Sequence, residues 1–212
     1  MNRIQKNLTI AAWGLAIVAL ASFVASGIWR ARENQGQPVL RETQPKRLDK
    51  YYQISDFQLI DQNSKSFNRK DLAGKVWIAD LIFTQCAGAC PKMTAEMAGL
   101  QRELAGTPIQ FLSISVDPAH DTPAMLKQYD RNVDADEKSW TFITGEPAQI
   151  FNLAESMKVP AAPADAQNQI MHAEKFILID GDGWIRGYYF YKDPQKRSEL
   201  LEDARKLASR GT

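Results

Sequence analysis

Along the chain, apolar and polar positions fall into one long apolar run, a polar stretch, and then a regular succession of short strand and helix patterns. From Asn7 to Trp29 no residue is charged. A run of that length can cross a ~30 Å hydrocarbon core as a helix, and no polar face interrupts it as it would in a surface helix. Arg3 and Lys6 precede it, Arg30 and Arg32 follow it, and Trp13 and Trp29 stand near its ends. The pattern predicts a short cytoplasmic tail at 1–7, a transmembrane anchor at 8–29, and the rest of the chain on the non-cytoplasmic side. A cleaved signal peptide, with a small-residue site near Ala19-Leu20-Ala21, is the competing reading, but the run is longer than the usual apolar region of such a peptide. Residues 30–50 are polar and contain Gly36, Pro38 and Pro45, the composition of a linker.

From residue 51 onward the periods alternate. Phe57-Gln58-Leu59-Ile60 and the turn Asp61-Gln62-Asn63 predict an early hairpin. The runs from Val76 to Phe83 and from Ile109 to Val116 are apolar enough for central strands. Met93, Met97, Leu100 and Leu104 recur at helical spacing from Pro91 onward. Thr122-Pro123 has the form of an N-cap followed by a first helical residue. Trp140 to Thr144 is strand-like, Pro147 to Met157 helical, and 159–169 a loop broken by Pro160 and Pro163. Two further strands, Phe176–Ile179 and Trp184–Tyr191, flank Asp180-Gly181-Asp182-Gly183, a hairpin signal; the ligand pattern of a calcium loop is absent. A last helix starts near Pro194. This succession predicts an α/β, thioredoxin-like three-layer sandwich at 51–212 behind the N-terminal transmembrane helix.

Charge then narrows the function. The formal net charge is +1, which gives no basic face for nucleic acid. The chain has only two cysteines, too few for a disulfide scaffold. Both lie in Phe83-Thr84-Gln85-Cys86-Ala87-Gly88-Ala89-Cys90-Pro91, at the carboxyl end of a predicted central strand, where open α/β sheets bind ligands. Pro91 disfavours helical backbone at Cys90 and suits a first helical position, so Cys90 is expected at the helix N-cap with a lowered thiol pKa. Lys92 adds positive charge nearby. The pair can close a disulfide, exchange thiols, or present two thiolates to a soft metal. His172, just before the Phe176–Ile179 strand, is within reach of the same sheet end. Two thiolates and an imidazole suit copper, the thiolates favouring Cu(I) and the imidazole admitting Cu(II). His120, in Asp117-Pro118-Ala119-His120-Asp121, reads as a solvated turn residue. A zinc site would need both histidines to converge on the dithiol.

These stretches together resemble the Sco/SenC family of copper-delivery proteins. The resemblance covers roughly residues 51–208 and rests on FTQCAGACP (83–91), SVDPAHDTP (115–123), WTFITG (140–145), and His172 followed by FILIDGDGWIRGYY (176–189). It implies a thioredoxin-like domain that binds Cu(I) or Cu(II) through Cys86, Cys90 and His172. It also implies a part in assembling the copper-A centre of cytochrome c oxidase, by donating copper or by reducing the acceptor's cysteines. The partner is then the copper-A subunit or another thiol or copper protein. Asp121 matches the family's aspartate and is expected to cap a helix. One departure stands out: many members carry Pro-Asp after the first cysteine, where this chain has Ala87-Gly88. The three ligands are kept, but the acidic neighbour is gone, which weights the reading toward thiol exchange. A metal-free thiol–disulfide oxidoreductase is the alternative. Ordinary thioredoxins, however, use C-x-x-C and a facing proline, and Ile170-Met171-His172 contains none.

Overall fold

The computed structural model of the protein describes residues 48–86, 88–162 and 171–210, without the side chains of 162, 171 and 172. The expected tail and anchor, and the linker up to 47, lie outside the described residues. Among the described residues no helix is long and apolar enough to cross a membrane. Leu48 is buried in the core, and the Leu48 and Asp49 carbonyls accept hydrogen bonds from the Arg186 guanidinium. Linker-like composition hid that attachment.

A seven-stranded sheet runs in the order β2-β1-β5-β4-β3-β8-β9. Its members are β1 (Gln58–Asp61), β2 (Ser66–Asn68), β3 (Trp77–Ile82), β4 (Gln110–Ser115), β5 (Trp140–Thr144), β8 (Lys175–Ile179) and β9 (Ile185–Phe190). Strands β3, β4 and β5 are parallel. Between them come the crossover helices α1 (Ala89–Glu103) and α2 (Pro123–Asn132). β8 returns antiparallel beside β3, pairing Ile179 with Trp77 and Ile177 with Ala79. A second, two-stranded sheet joins β6 (Ala161–Ala162) to β7 (Met171–His172).

All six residues of β3 are buried, as a central strand covered on both faces requires. Alternation sends Ile78 and Ile82 to one face and Trp77, Ala79 and Leu81 to the other. The first face packs against α1, α2 and α4 (Pro194–Ser209) through Met93, Met97, Leu126, Leu200 and Ala204. The second packs against α3 (Pro147–Ser156) through Ile150, Leu153 and Ala154. The result is the three-layer, thioredoxin-like sandwich that the alternating periods imply. Each fully buried aliphatic side chain contributes about 1.5–3 kcal/mol to holding the layers together.

The hairpin between β8 and β9 is tied by Asp180. Asp180 Oδ1 accepts the N–H groups of Asp182 and Trp184, Asp180 Oδ2 pairs with Arg186, and Gly183 takes a left-handed φ of 83°. The β6–β7 pairing departs from the loop expected at 159–169. Pro160 stands just before β6, so only the two alanines join the ladder.

Candidate metal centre

The segment that carries the cysteines leaves the carboxyl end of β3, and the interior of the fold fixes it there. Asp121 is fully buried. Its carboxylate accepts the Thr84 N–H (3.1 Å), the Thr84 hydroxyl (2.5 Å) and the Ser115 hydroxyl (2.6 Å). It therefore ties the end of β3 to the end of β4. The capping role expected of Asp121 belongs instead to Thr122, whose side chain accepts the Met125 N–H. An ionised carboxylate offers about four acceptor sites on two oxygens, about twice those of a hydroxyl, which suits a junction where three donors converge.

The chain reverses after Thr84, with the Cys86 N–H donating to the Phe83 carbonyl, and α1 begins at Ala89 with Gly88 as its N-cap. Cys90 thus lies inside the first turn and not at the cap where Pro91 suggested it. Pro91 is tolerated there because first-turn N–H groups have no partner within the helix. This shift exchanges the roles expected of the two thiols. The Cys90 N–H donates to Cys86 Sγ at 3.4 Å. Burial works to raise the Cys86 thiol, but the N–H groups of Cys90, Gly88 and Ala89 and the Cys90 thiol together outweigh it and hold it below the ordinary thiol range. The helix N-terminus therefore acidifies Cys86, which is partly exposed. Cys90 is fully buried. Burial pushes its thiol well up, and the charges of Cys86 and Asp80 push the same way, against a hydrogen bond from Phe83. The two cysteines are not joined by a disulfide.

The first turn of α1 is anchored from behind. The Thr94 hydroxyl donates to the Cys90 carbonyl (2.8 Å) and shares a hydrogen bond with the Tyr129 hydroxyl (2.8 Å). Thr84, Ser115 and Tyr129 were not legible as site residues, since their role depends on partners distant in sequence. Asp80 did leave a signal: it is the one charged residue inside the apolar run of β3.

His172 closes β7, with Ala173 and Glu174 between it and β8. Because β8 runs antiparallel to β3, the backbone leading into Lys175 travels alongside the backbone leaving Ile82. His172 is thereby carried to the sheet end from which Cys86 and Cys90 depart, on a backbone held by the pairing of His172 with Ala161. Its side chain lies outside the described residues. His120 is mostly exposed, and its Nδ1 is 2.9 Å from both Asp117 carboxylate oxygens, which raise its pKa. It is the solvated turn residue that the sequence indicates.

Two neighbouring thiols, one of them acidified by the helix N–H groups and partly exposed, form a site for a soft metal or for thiol exchange. Comparison with known proteins bears on the choice. Residues 45–209 match the family model described as SCO1/SenC. The SCO1 protein homolog of Bacillus subtilis is 31% identical over 162 residues, covering 74% of this chain and 84% of that protein. Among solved structures, BsSco, described as a member of the Sco family of cytochrome c oxidase assembly proteins with a disulfide switch, is 30% identical with a TM-score of 0.66. The match covers 74% of this chain and 94% of that one. Bradyrhizobium japonicum ScoI with copper bound is 28% identical with a TM-score of 0.62, over 73% of this chain and 98% of that one.

Proposed function

The chain belongs to the SCO1/SenC family, and from that premise we propose that it carries copper on Cys86, Cys90 and His172 and assists the assembly of cytochrome c oxidase. The observation that carries this reading is the Cys86 sulfur set against the N-terminal turn of α1 that carries Cys90, with Cys86 as the acidified, partly exposed donor. Thiolates favour Cu(I), and a neutral imidazole completes a set that also accepts Cu(II). That ScoI holds copper and that BsSco is a cytochrome c oxidase assembly protein support the cargo and the process. The copper-A subunit is the acceptor we infer. The apolar run at 8–29 is read as a single-pass anchor that leaves the domain on the non-cytoplasmic side.

A second activity is favoured by the inequality of the two thiols. Cys86 is suited to attack a partner's disulfide, and the buried Cys90 to resolve the mixed disulfide from inside. The disulfide switch of BsSco supports it. The same residues serve both roles, the dithiol form taking copper and the disulfide form not.

Titration of the reduced chain with Cu(I) and Cu(II) tests the proposal. About one copper per chain is expected, with a thiolate-to-Cu(II) charge-transfer absorption. His172→Ala is expected to lose that absorption, and oxidation of the dithiol to abolish uptake. An unchanged spectrum in His172→Ala removes the histidine from the site; thiol exchange without copper uptake leaves only the second activity.

A further inference from the structure

The edge strand β9 carries an aromatic surface that the metal site does not use. Tyr188 and Phe190 stand two residues apart and so share one face of the strand, and the register sets Lys175 of β8 opposite Phe190. Lys175 Nζ lies 5.7 Å from the centre of the Tyr188 ring and 5.1 Å from that of Phe190. Tyr51 and Tyr52 extend the surface. Their segment is bound to β9, with the Tyr51 N–H donating to the Ile185 carbonyl and the Ile185 N–H to the Tyr52 carbonyl. The Tyr51 ring is 6.2 Å from that of Tyr188, and Lys158 Nζ lies 5.6 Å over the Tyr52 ring. The Tyr188 hydroxyl donates to the Met157 carbonyl at 2.8 Å, which ties the strand to the end of α3 just before Lys158. Tyr51, Tyr52 and Phe190 are about half exposed, at 49%, 47% and 55%. Exposed apolar patches of this kind mark interaction surfaces.

The charges of the patch say what would meet it. Lys158 and Lys175 form no ion pair among the described residues, whereas the neighbouring Lys50 and Lys192 are matched by Asp182 at 3.7 Å and Glu174 at 2.5 Å. Lys158 also holds a left-handed φ of 55° just past the end of α3, a place that glycine or asparagine usually takes. A lysine there costs backbone energy that glycine would not, which points to a use for its side chain. Rings with polar tips among lysine stems are the composition that settles at a lipid–water boundary, the rings at headgroup depth and the ammonium groups on phosphates. Such a boundary answers the rings and the unmatched charges together. In sequence, only residues 30–50 separate Tyr51 from the apolar run that ends at Trp29. A chain anchored by that run presents its domain to the bilayer at high effective concentration.

We propose that Tyr51, Tyr52, Tyr188 and Phe190, with Lys158 and Lys175, dock the domain on anionic phospholipid headgroups, an inference that rests on the reading of 8–29 as an anchor. Lys175 follows His172 by three residues. Docking therefore sets the end of the sheet that carries the proposed copper ligands close to the bilayer surface.

Lysine footprinting of the full chain tests this. The chain is incorporated into nanodiscs of phosphatidylcholine with or without phosphatidylglycerol and acetylated, and peptide mass spectrometry reads each lysine. Acetylation of Lys158 and Lys175 is expected to be about fivefold slower on the anionic discs, from the attraction of each lysine to such a surface. The exposed Lys138 is expected to react alike on both. Tyr52→Ser/Phe190→Ser changes two half-exposed positions outside the core and is expected to remove the difference, as is raised salt. Equal labelling on both discs, with the chain co-eluting with each, would overturn the docking and leave the anchor standing. A chain that does not enter phosphatidylcholine discs would overturn the anchor, and the proposal with it. Protection in detergent that grows with protein concentration would make the patch a contact between copies of the chain. Protection that appears only when the copper-A subunit is added would make it a protein-docking face. Either result would overturn the lipid assignment.

Discussion

Asp80→Asn is expected to make the protein more stable than wild type at pH 8, by about 2–4 kcal/mol, and to change its stability little at pH 4. The expectation follows from where the carboxyl ionises. Burial raises it from 3.8 in the unfolded chain to about 7 in the fold. At pH 4 the folded carboxyl is neutral and the unfolded one only partly ionised, so folding pays little for it. As pH rises toward 7, the unfolded state ionises while the folded state holds its proton, and stability falls. Above 7 both are ionised, and the penalty of a buried charge with one unpartnered oxygen is complete. Each pH unit between the two values corresponds to about 1.4 kcal/mol. The asparagine keeps an acceptor for Ser113 but brings an amide N–H₂ that needs partners, which lowers the gain. Urea unfolding of both proteins at pH 4 and pH 8 measures it. A difference that is the same at both pH values would mean that Asp80 does not titrate as its burial requires.

The second large effect separates the two cysteines. With the reduced, folded protein at pH 7, iodoacetamide is expected to modify Cys86 at least on the order of a hundredfold faster than Cys90. Cys86 is partly exposed, and the first N–H groups of α1 hold its thiol below the ordinary range. Cys90 is enclosed and its thiol is held well above that range. Unfolding in guanidinium should bring the two rates together, because both causes are properties of the fold. Peptide mass spectrometry of timed samples reads each site separately. Comparable rates in the native protein would remove the asymmetry on which the order of thiol exchange depends.

Much of this architecture is written in local patterns. The apolar runs at 76–83 and 109–116 became β3 and β4 because central strands need apolar residues on both faces. Thr122-Pro123 opened a helix because a capping hydroxyl and a fixed φ favour that start. The cysteine pair was conspicuous as the only sulfhydryls in the chain, set at a strand-to-helix turn. What stayed hidden depends on long-range partners or on one residue of register. Pro91 suggested a helix beginning at itself, but α1 starts at Ala89, and that small displacement decides which thiol receives the N–H groups. The capping role expected of Asp121 rests on its match to the family's aspartate and not on any local pattern. Only the folded chain brings Thr84 and Ser115 to its carboxylate. The β6–β7 pairing, which fixes the backbone at His172, rests on two residues in each strand, too few to leave a periodic signal.

The central claim is that two sulfurs and one imidazole, arriving from separate segments, hold a single copper. X-ray absorption of the Cu(I)-loaded chain identifies the donor atoms directly. Sulfur scattering from Cys86 and Cys90 together with the multiple-scattering pattern of one imidazole is the expected result, the imidazole part vanishing in His172→Ala. A spectrum with only oxygen and nitrogen neighbours, or an imidazole signal that survives in His172→Ala, would contradict it.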